Sequence, residues 1–202
     1  MAIVVFSIIG VFIFYGALLI VKCNDNSDLE IKREIIVSIS ILVSVAVLYY
    51  KYKLSMSFVF LFYLFIYLII SAYIDYKTMY VYSIFNYITM GVSVIYLIIN
   101  IKNVSVGYVA ISVVIWCCFT TLCSKFKIFG GGDNEILMSI SLFIAVKYNY
   151  STLEMLFLNM AICNLILFFT NLDKFNIKEM RFNKNVAYAP SIALSTILLI
   201  LM

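Results

Sequence analysis

Seven uncharged stretches of similar length run through this sequence, and they limit its possible folds more than any other feature. They are Met1–Val21, Ile35–Tyr50, Leu54–Ala72, Met79–Ile101, Asn103–Ser124, Met155–Leu172 and Asn185–Met202. A helix needs roughly 17–25 apolar residues to cross the hydrocarbon layer of a bilayer. An eighth stretch, Ile136–Val146, reaches that length only if it begins near the glycines at 130–132 and ends around Lys147 and Tyr148. We therefore predict eight transmembrane helices.

The composition agrees with a membrane protein. Of the 202 residues, 65% are hydrophobic and only 12% are charged, which is more apolar surface than a soluble domain of this size can bury. Lipid offers no hydrogen-bond partner to the backbone, so the spans must be helical, and the alternation typical of a membrane barrel is missing. We predict an all-α integral membrane protein with a single transmembrane domain over residues 1–202. The first stretch lacks a basic n-region and a small-residue cleavage site before Lys22, so we expect a retained span.

Basic residues are distributed unevenly between alternate loops. The loops after the first, third, fifth and seventh spans contain ten of them: Lys22, Lys32, Arg33, Lys77, Lys125, Lys127, Lys174, Lys178, Arg181 and Lys184. The other loops contain four: Lys51, Lys53, Lys102 and Lys147. Cytoplasmic loops are enriched in Lys and Arg, so the first set is predicted to face the cytoplasm and both termini the outside.

Two absences exclude whole classes of chemistry. The sequence contains no histidine, which rules out Ser-His-Asp and Cys-His nucleophiles, His-ligated zinc and HExxH proteolysis. Its five cysteines form no CxxC pair, and four of them lie in apolar spans. A disulfide framework or zinc site is therefore not expected, and we predict no metal and no cofactor.

Two aspartates remain as candidates for catalysis. Asp75 closes the third span, and Asp133 follows the triplet Gly130-Gly131-Gly132. A carboxylate at the edge of a span is costly to desolvate and is a functional candidate for that reason. Two spans separate the aspartates, so both should reach the same, cytoplasmic face. Such a pair can hydrolyse a peptide bond, because one ionised carboxyl takes a proton from water and one neutral carboxyl donates a proton.

The three glycines before Asp133 are expected to have a structural purpose. Without a Cβ atom, the backbone there can adopt positive φ and allow an extended substrate to come close enough to hydrogen-bond. We therefore predict Gly130, Gly131 and Gly132 as substrate-approach backbone. A plain flexible turn between two helices is the alternative.

In these motifs the chain resembles the prepilin peptidases, which are membrane aspartyl proteases of the GxGD class. Gly130-Gly131-Gly132-Asp133 matches GxGD, and Asp75 leads to Val81 as in the D-x5-[IV]-P-N segment of the family, although Tyr82-Ser83 replaces Pro-Asn. The segment from Val186 to Leu194 resembles a later family motif around the single proline, Pro190. Pro190 is expected either to kink the last helix and help shape the site, or to be a tolerated kink without a catalytic part. The resemblance covers most of residues 57–202, which we predict as the peptidase core.

The resemblance implies an aspartic endopeptidase with Asp75 and Asp133 as its catalytic residues. It further implies a prepilin-like protein substrate with a short basic leader, cut at the cytoplasmic face of the plasma membrane. Bifunctional members have a large first loop with two zinc-binding CxxC pairs for N-methyltransfer. Here the first loop is short, residues 22–33, and contains only Cys23, so no methyltransfer is expected. Membrane lipid is the other expected partner, nucleic acid is not expected, and the oligomeric state stays open.

Other acidic and aromatic residues allow two readings each. Four acidic residues either recognise a basic leader or are solvated loop charges: Asp25, Asp28, Glu30 and Glu135. Tyrosines that either line a substrate groove or, as we prefer, form interfacial belts include Tyr63, Tyr67, Tyr73, Tyr76, Tyr80, Tyr82 and Tyr87.

Two other functions compete with the prepilin peptidase prediction. A presenilin-like or signal-peptide-peptidase-like protease also uses GxGD, but it expects tyrosine directly before the first aspartate, where this chain has Ile74. A small transporter that binds an ion between the aspartates would usually show internal repeats or acids deep within its spans. We find no such repeat, and both aspartates lie at span ends.

Overall fold

Eight α-helices contain most of the residues that the computed structural model describes, which are 2–25, 35–172, 175–176, 181–182 and 186–202. In chain order they are α1 (Ala2–Asp25), α2 (Ile35–Tyr52), α3 (Met56–Thr78), α4 (Ser83–Ile99), α5 (Val106–Lys125), α6 (Gly131–Tyr148), α7 (Thr152–Thr170) and α8 (Ala189–Leu201). Between α7 and α8, the two-residue strands β1 (Phe175–Asn176) and β2 (Arg181–Phe182) pair antiparallel. The predicted all-α fold is confirmed.

Five described stretches are long and apolar enough to cross a membrane. They are Ala2–Cys23, Ile35–Tyr52, Met56–Thr78, Val106–Lys125 and Gly131–Thr170. The last of these contains both α6 and α7, which a 3-10 turn at Asn149–Ser151 joins. Helices α4 and α8 are apolar but shorter, with 17 and 13 residues. The chain is therefore a multi-pass membrane protein, as predicted.

Several helix ends differ from the predicted spans. Helix α3 runs six residues past Ala72 and includes Asp75. A helix can continue beyond its apolar stretch where its polar end reaches the membrane interface. The doubtful sixth span is the 18-residue helix α6, which begins within the glycine run and ends at Tyr148, as the longer prediction required. The last helix begins at Ala189 instead of Asn185.

Local sequence explains where α3 begins and ends. The Oγ atom of Ser55 accepts a hydrogen bond from the backbone N–H of Phe58 at 3.2 Å, which caps the start of the helix. Met79 follows the end in the left-handed conformation, with φ of 56°, and its N–H donates to the carbonyl oxygen of Asp75 at 2.8 Å. The chain therefore leaves the helix at Met79, one helical turn after Asp75.

Helix α3 lies at the centre of the bundle. It contacts α1, α2, α4 and α8, while α6 contacts α4, α5, α7 and α8. The core contains large side chains of several helices, including Phe14, Ile41, Phe65, Trp116 and Phe143. The two helices that carry the candidate aspartates, α3 and α6, are thus both inner helices, and α4 and α8 lie against both of them.

The helix ends form two groups. At one end, Asp75 in the last turn of α3 binds the first residue of α8, and Val81, just after α3, lies against Gly132 of α6. At the other end, Lys51 and Tyr52 of α2 and Lys147 and Tyr148 of α6 donate hydrogen bonds to the last carbonyl oxygens of α8. Cationic and hydroxyl donors satisfy carbonyls that have no partner within the helix. Helix α8 is therefore held at both ends, and one of those ends is the candidate site.

Candidate active site

Asp75 occupies the last turn of α3 and is almost fully buried, with 5% of its surface exposed. Its Oδ2 atom accepts a hydrogen bond at 2.9 Å from the backbone N–H of Ala189, the first residue of α8. The first N–H groups of a helix have no partner within the helix, and they favour a carboxylate as acceptor. The N-terminus of α8 therefore fixes the position of the Asp75 carboxyl group.

Asp133 lies in the first turn of α6 and is half-buried. Its Oδ2 atom accepts a hydrogen bond at 3.1 Å from the backbone N–H of Gly130, the residue that caps the helix. The carboxyl groups of Asp133 and Asp75 are close enough for their charges to interact. The carboxyl group of Asp75 is thus held by backbone amides at the start of α8, and that of Asp133 by the amide of Gly130. The fold brings together two side chains that are 58 positions apart in the sequence.

The glycine run lacks the positive φ that we predicted, whereas its part in substrate approach stays a prediction. Among the described residues no glycine has positive φ, and Gly130 has φ of −69° and ψ of 159°. A Cβ atom on Gly132 would lie 2.5 Å from the Cβ atom of Val81, whereas one on Gly131 would meet nothing within 4 Å. Gly132 is needed because α6 begins against the segment that follows Asp75. The prediction of positive φ was wrong; close approach of two backbones is the reason for glycine here.

Pro190 lies in the first turn of α8, where proline is tolerated because the N–H that it lacks would have no helical partner. The expectation of a kink within the last helix was therefore wrong. Pro190 helps to begin the helix whose first N–H binds Asp75.

Tyr188, directly before α8, is a site residue that the sequence analysis did not single out. It is buried, and its hydroxyl group donates a hydrogen bond to Oδ1 of Asn164 on α7 at 2.6 Å. Its ring stacks on that of Phe129, with centroids 5.9 Å apart and planes inclined by 20°. The only signal in the sequence was its place one residue before Ala189-Pro190, within the segment that resembles the family's last motif.

A buried polar network lies further along α3 and α6. Asn86 of α4 accepts a hydrogen bond from the hydroxyl of Tyr67 at 2.7 Å and donates to Oε2 of Glu135 at 2.9 Å. The Tyr67 hydroxyl also lies 2.9 Å from Oγ of Ser139. Glu135 is thus a partner within the helix bundle and not a solvated loop charge, and Tyr67 is buried instead of lying in an interfacial belt.

The structure does not describe the side chains of the other acidic candidates. Asp28 and Glu30 lie outside the described residues, and of Asp25 only the backbone, at the end of α1, is described. Within the described ranges, no group of three or more His, Cys, Asp or Glu residues is arranged to hold a metal ion. The two aspartates are therefore the acidic groups that the described structure brings together at this end.

An apolar groove of about 610 Å³ lies between α2 and α8 and over α3. Its lining includes Tyr76, the residue after Asp75, and Pro190, the residue after Ala189. Small side chains, Ser40, Ala72 and Ala193, line it further along. The groove therefore runs along α3 and α8, and its lining includes the residues that follow Asp75 and Ala189 but neither aspartate.

Comparison with known proteins agrees with this geometry. No curated protein and no solved structure matches the chain. Residues 61–170 match the profile of the type IV leader peptidase family, and this range includes Asp75, Asn86, the glycine run and Asp133. The match covers more than half of the 202 residues. The chain therefore belongs to the type IV leader peptidase family, and it is a membrane peptidase of the kind that acts on prepilin-like proteins.

Proposed function

We propose that the chain is an aspartic endopeptidase that removes the basic leader of a type IV prepilin-like protein, with Asp75 and Asp133 as its catalytic residues. The observation that carries this proposal is the meeting of the two aspartates at one end of the bundle, each held by a backbone N–H. The match to the peptidase family supports proteolysis, and the pair of carboxyl groups supports its aspartic type.

The proposed reaction needs one water molecule and one proton shared by the pair. One aspartate, ionised, takes a proton from the water while the water oxygen bonds to the carbonyl carbon of the scissile peptide. The other, neutral, gives its proton to the carbonyl oxygen, so that a neutral tetrahedral diol forms. Transfer of a proton to the amide nitrogen then breaks the C–N bond and releases a carboxyl and an amine product. The two aspartates act as one pair, so neither role is assigned to a single residue.

The surroundings of the pair support a substrate that is partly in the membrane. The resemblance implies a hydrophobic segment directly after the cleavage site, and the apolar groove between α2 and α8 offers it an apolar surface. Removing such a segment from water stabilises the complex by about 25 cal/mol for each Å² of apolar surface buried. The basic leader would remain at the polar end of the bundle, which the distribution of Lys and Arg assigns to the cytoplasmic face of the plasma membrane. The short first loop, with Cys23 alone, supports peptidase activity without N-methyltransfer.

Isosteric substitution of each aspartate tests the proposal. The chain is co-expressed with a prepilin-like protein, and removal of the leader is followed by its shift in gel mobility and by mass spectrometry of the new N-terminus. Because a single carboxyl group cannot both take and give the proton, Asp75→Asn and Asp133→Asn should each lower cleavage by at least about 1000-fold. Glu154→Gln is the matched control, since Glu154 is an exposed acid in the first turn of α7, at the other end of the bundle. Normal processing by either aspartate variant would contradict the aspartic mechanism.

A further inference from the structure

We propose that Tyr188 is a positioning residue that, through its ring contact with Phe129, sets the distance between the two catalytic carboxyl groups. This inference rests on the proposed function, because it concerns the same pair of aspartates. It goes beyond the family match, which ends at residue 170 and does not include Tyr188.

The backbone amide directly after each ring of the aromatic pair donates a hydrogen bond to one of the two aspartates. Phe129 is followed by Gly130, whose N–H donates to Oδ2 of Asp133 at 3.1 Å. Tyr188 is followed by Ala189, whose N–H donates to Oδ2 of Asp75 at 2.9 Å. Each ring therefore belongs to the residue directly before the amide that fixes one catalytic carboxyl group.

The two rings are in contact. They are stacked with their centroids 5.9 Å apart, and both side chains are buried, with 7% of Phe129 and 8% of Tyr188 exposed. Stacked aromatic pairs contribute roughly 0.5–1.5 kcal/mol beyond the area that they bury. Because each ring belongs to the residue directly before an aspartate-binding amide, the spacing of the rings limits the spacing of the amides. The stack thus connects the start of α6 to the start of α8.

Tyr188 is fixed in its turn by α7 and α8. Its hydroxyl donates to Asn164, and its carbonyl oxygen accepts from the N–H groups of Ser191 and Ile192 at 3.0 and 3.2 Å. Burial raises the pKa of Tyr188 far above its ordinary value, so the hydroxyl keeps its proton and remains a donor. The titratable groups near it are Cys123 of α5, Asp133 of α6 and Cys163 of α7. The backbone N–H of Tyr188 itself also lies next to the carboxyl group of Asp75.

Loss of the stack should therefore reduce catalysis more than it reduces folding. A displacement of about 1 Å in a reacting group lowers a rate by about 100-fold, since the carboxyl groups no longer hold one water in line with the scissile carbonyl. We expect Tyr188→Leu to lower kcat by about 100-fold with little change in KM. Tyr188→Phe keeps the ring and loses only the hydrogen bonds of the hydroxyl group, to Asn164 and Cys163, so its kcat should fall much less.

A matched control separates positioning from general packing. Tyr96 is also buried, and it stacks on Phe143 with centroids 5.6 Å apart and planes inclined by 28°, but it lies between α4 and α6, away from the aspartates. Tyr96→Leu should lower the melting temperature in detergent about as much as Tyr188→Leu does. Its kcat at a temperature where it is folded should stay within about threefold of wild type.

A double-mutant cycle tests the contact itself. Phe129→Leu should reproduce the effect of Tyr188→Leu, and the double variant should lose little more than either single variant, because both remove the same stack. The proposal would be overturned if the two losses of kcat multiplied in the double variant. It would also be overturned if Tyr188→Leu behaved like Tyr96→Leu in both kcat and pH–rate profile.

A measurement without substrate keeps this inference separate from the proposed function. A hydrophobic carbodiimide modifies protonated carboxyl groups, and peptide mass spectrometry follows its reaction with Asp133 as a function of pH. In Asp75→Asn the midpoint of this reaction should move, because the neighbouring charge is removed. In Tyr188→Leu and Phe129→Leu it should move part of the way in the same direction, and in Tyr96→Leu it should not. An unchanged midpoint in both stack variants contradicts the inference, whereas a wild-type protein that cleaves no prepilin contradicts only the proposed function.

Discussion

At the scale of single residues, the role of the aspartates could be predicted from the sequence, whereas that of the glycines could not. An acidic residue at the edge of an apolar span is conspicuous, and both Asp75 and Asp133 could be predicted from that alone. The purpose of Gly132 could not, because its neighbour Val81 is distant in the sequence and nothing in a glycine triplet indicates which member needs the space. Tyr188 was missed for the same reason: its partners, Phe129 and Asn164, belong to other segments of the chain.

The glycine run yields a prediction at this scale. Gly132→Ala places a Cβ atom 2.5 Å from that of Val81, and a β-branched residue cannot rotate its Cβ away, so the start of α6 must shift together with Asp133. We expect leader cleavage to fall by about 100-fold. Gly131→Ala is the comparison, because its Cβ would meet nothing within 4 Å, and it should lose far less activity. Val81→Gly removes the opposing Cβ atom and should restore activity to Gly132→Ala; a failure of this rescue would argue against the close contact as the cause.

At the scale of helices, the number and order of the elements followed from length and hydrophobicity, but the inward faces did not. Helix α3 is apolar all around, so its sequence has no polar face to mark the side towards solvent. Tyr67 was for this reason predicted to lie at the membrane interface, whereas its hydroxyl bonds to Asn86 inside the bundle. Polar groups in an apolar bundle need partners, and those partners decide how α3, α4 and α6 pack.

The network around Asn86 should stabilise this packing. Asn86→Leu leaves the Tyr67 hydroxyl with one partner fewer and the Glu135 carboxyl group without its donor. A buried group that loses its partner costs about 1–3 kcal/mol, and more if it is charged. We expect a fall of several degrees in the melting temperature of the detergent-solubilised protein, measured by scanning fluorimetry. Glu135→Gln keeps an acceptor for Asn86, so its melting temperature should fall by less. Equal melting temperatures for wild type and Asn86→Leu would show that the network does not stabilise the bundle.

At the scale of the whole molecule, the arrangement of helices places both aspartates at one end and the Lys51–Lys147 cluster at the other. The sequence predicted this separation because two spans lie between Asp75 and Asp133, and an even number of crossings returns the chain to the same side. The direction in which the bundle crosses the membrane rests on a different kind of argument, the count of basic residues in alternate loops. A labelling measurement tests this direction separately from the pairing of the aspartates.

Two exposed lysines offer a matched pair for that measurement. Lys53 follows α2 and Lys127 follows α5, both have left-handed backbones with φ of 49° and 59°, and they lie at opposite ends of the bundle. In a variant whose five cysteines are replaced by serine, Lys53→Cys and Lys127→Cys are each treated in intact cells with a membrane-impermeant maleimide. The basic loops predict that Cys at 53 is labelled at once and that Cys at 127 is labelled only after the membrane is permeabilised. The opposite pattern would place the aspartates at the outer face, where a leader kept in the cytoplasm could not reach them, although their pairing in the bundle would be unaffected. Labelling from the predicted sides would place the carboxyl pair where a basic leader enters from the cytoplasm and an apolar segment remains in the membrane, as cleavage of a prepilin requires.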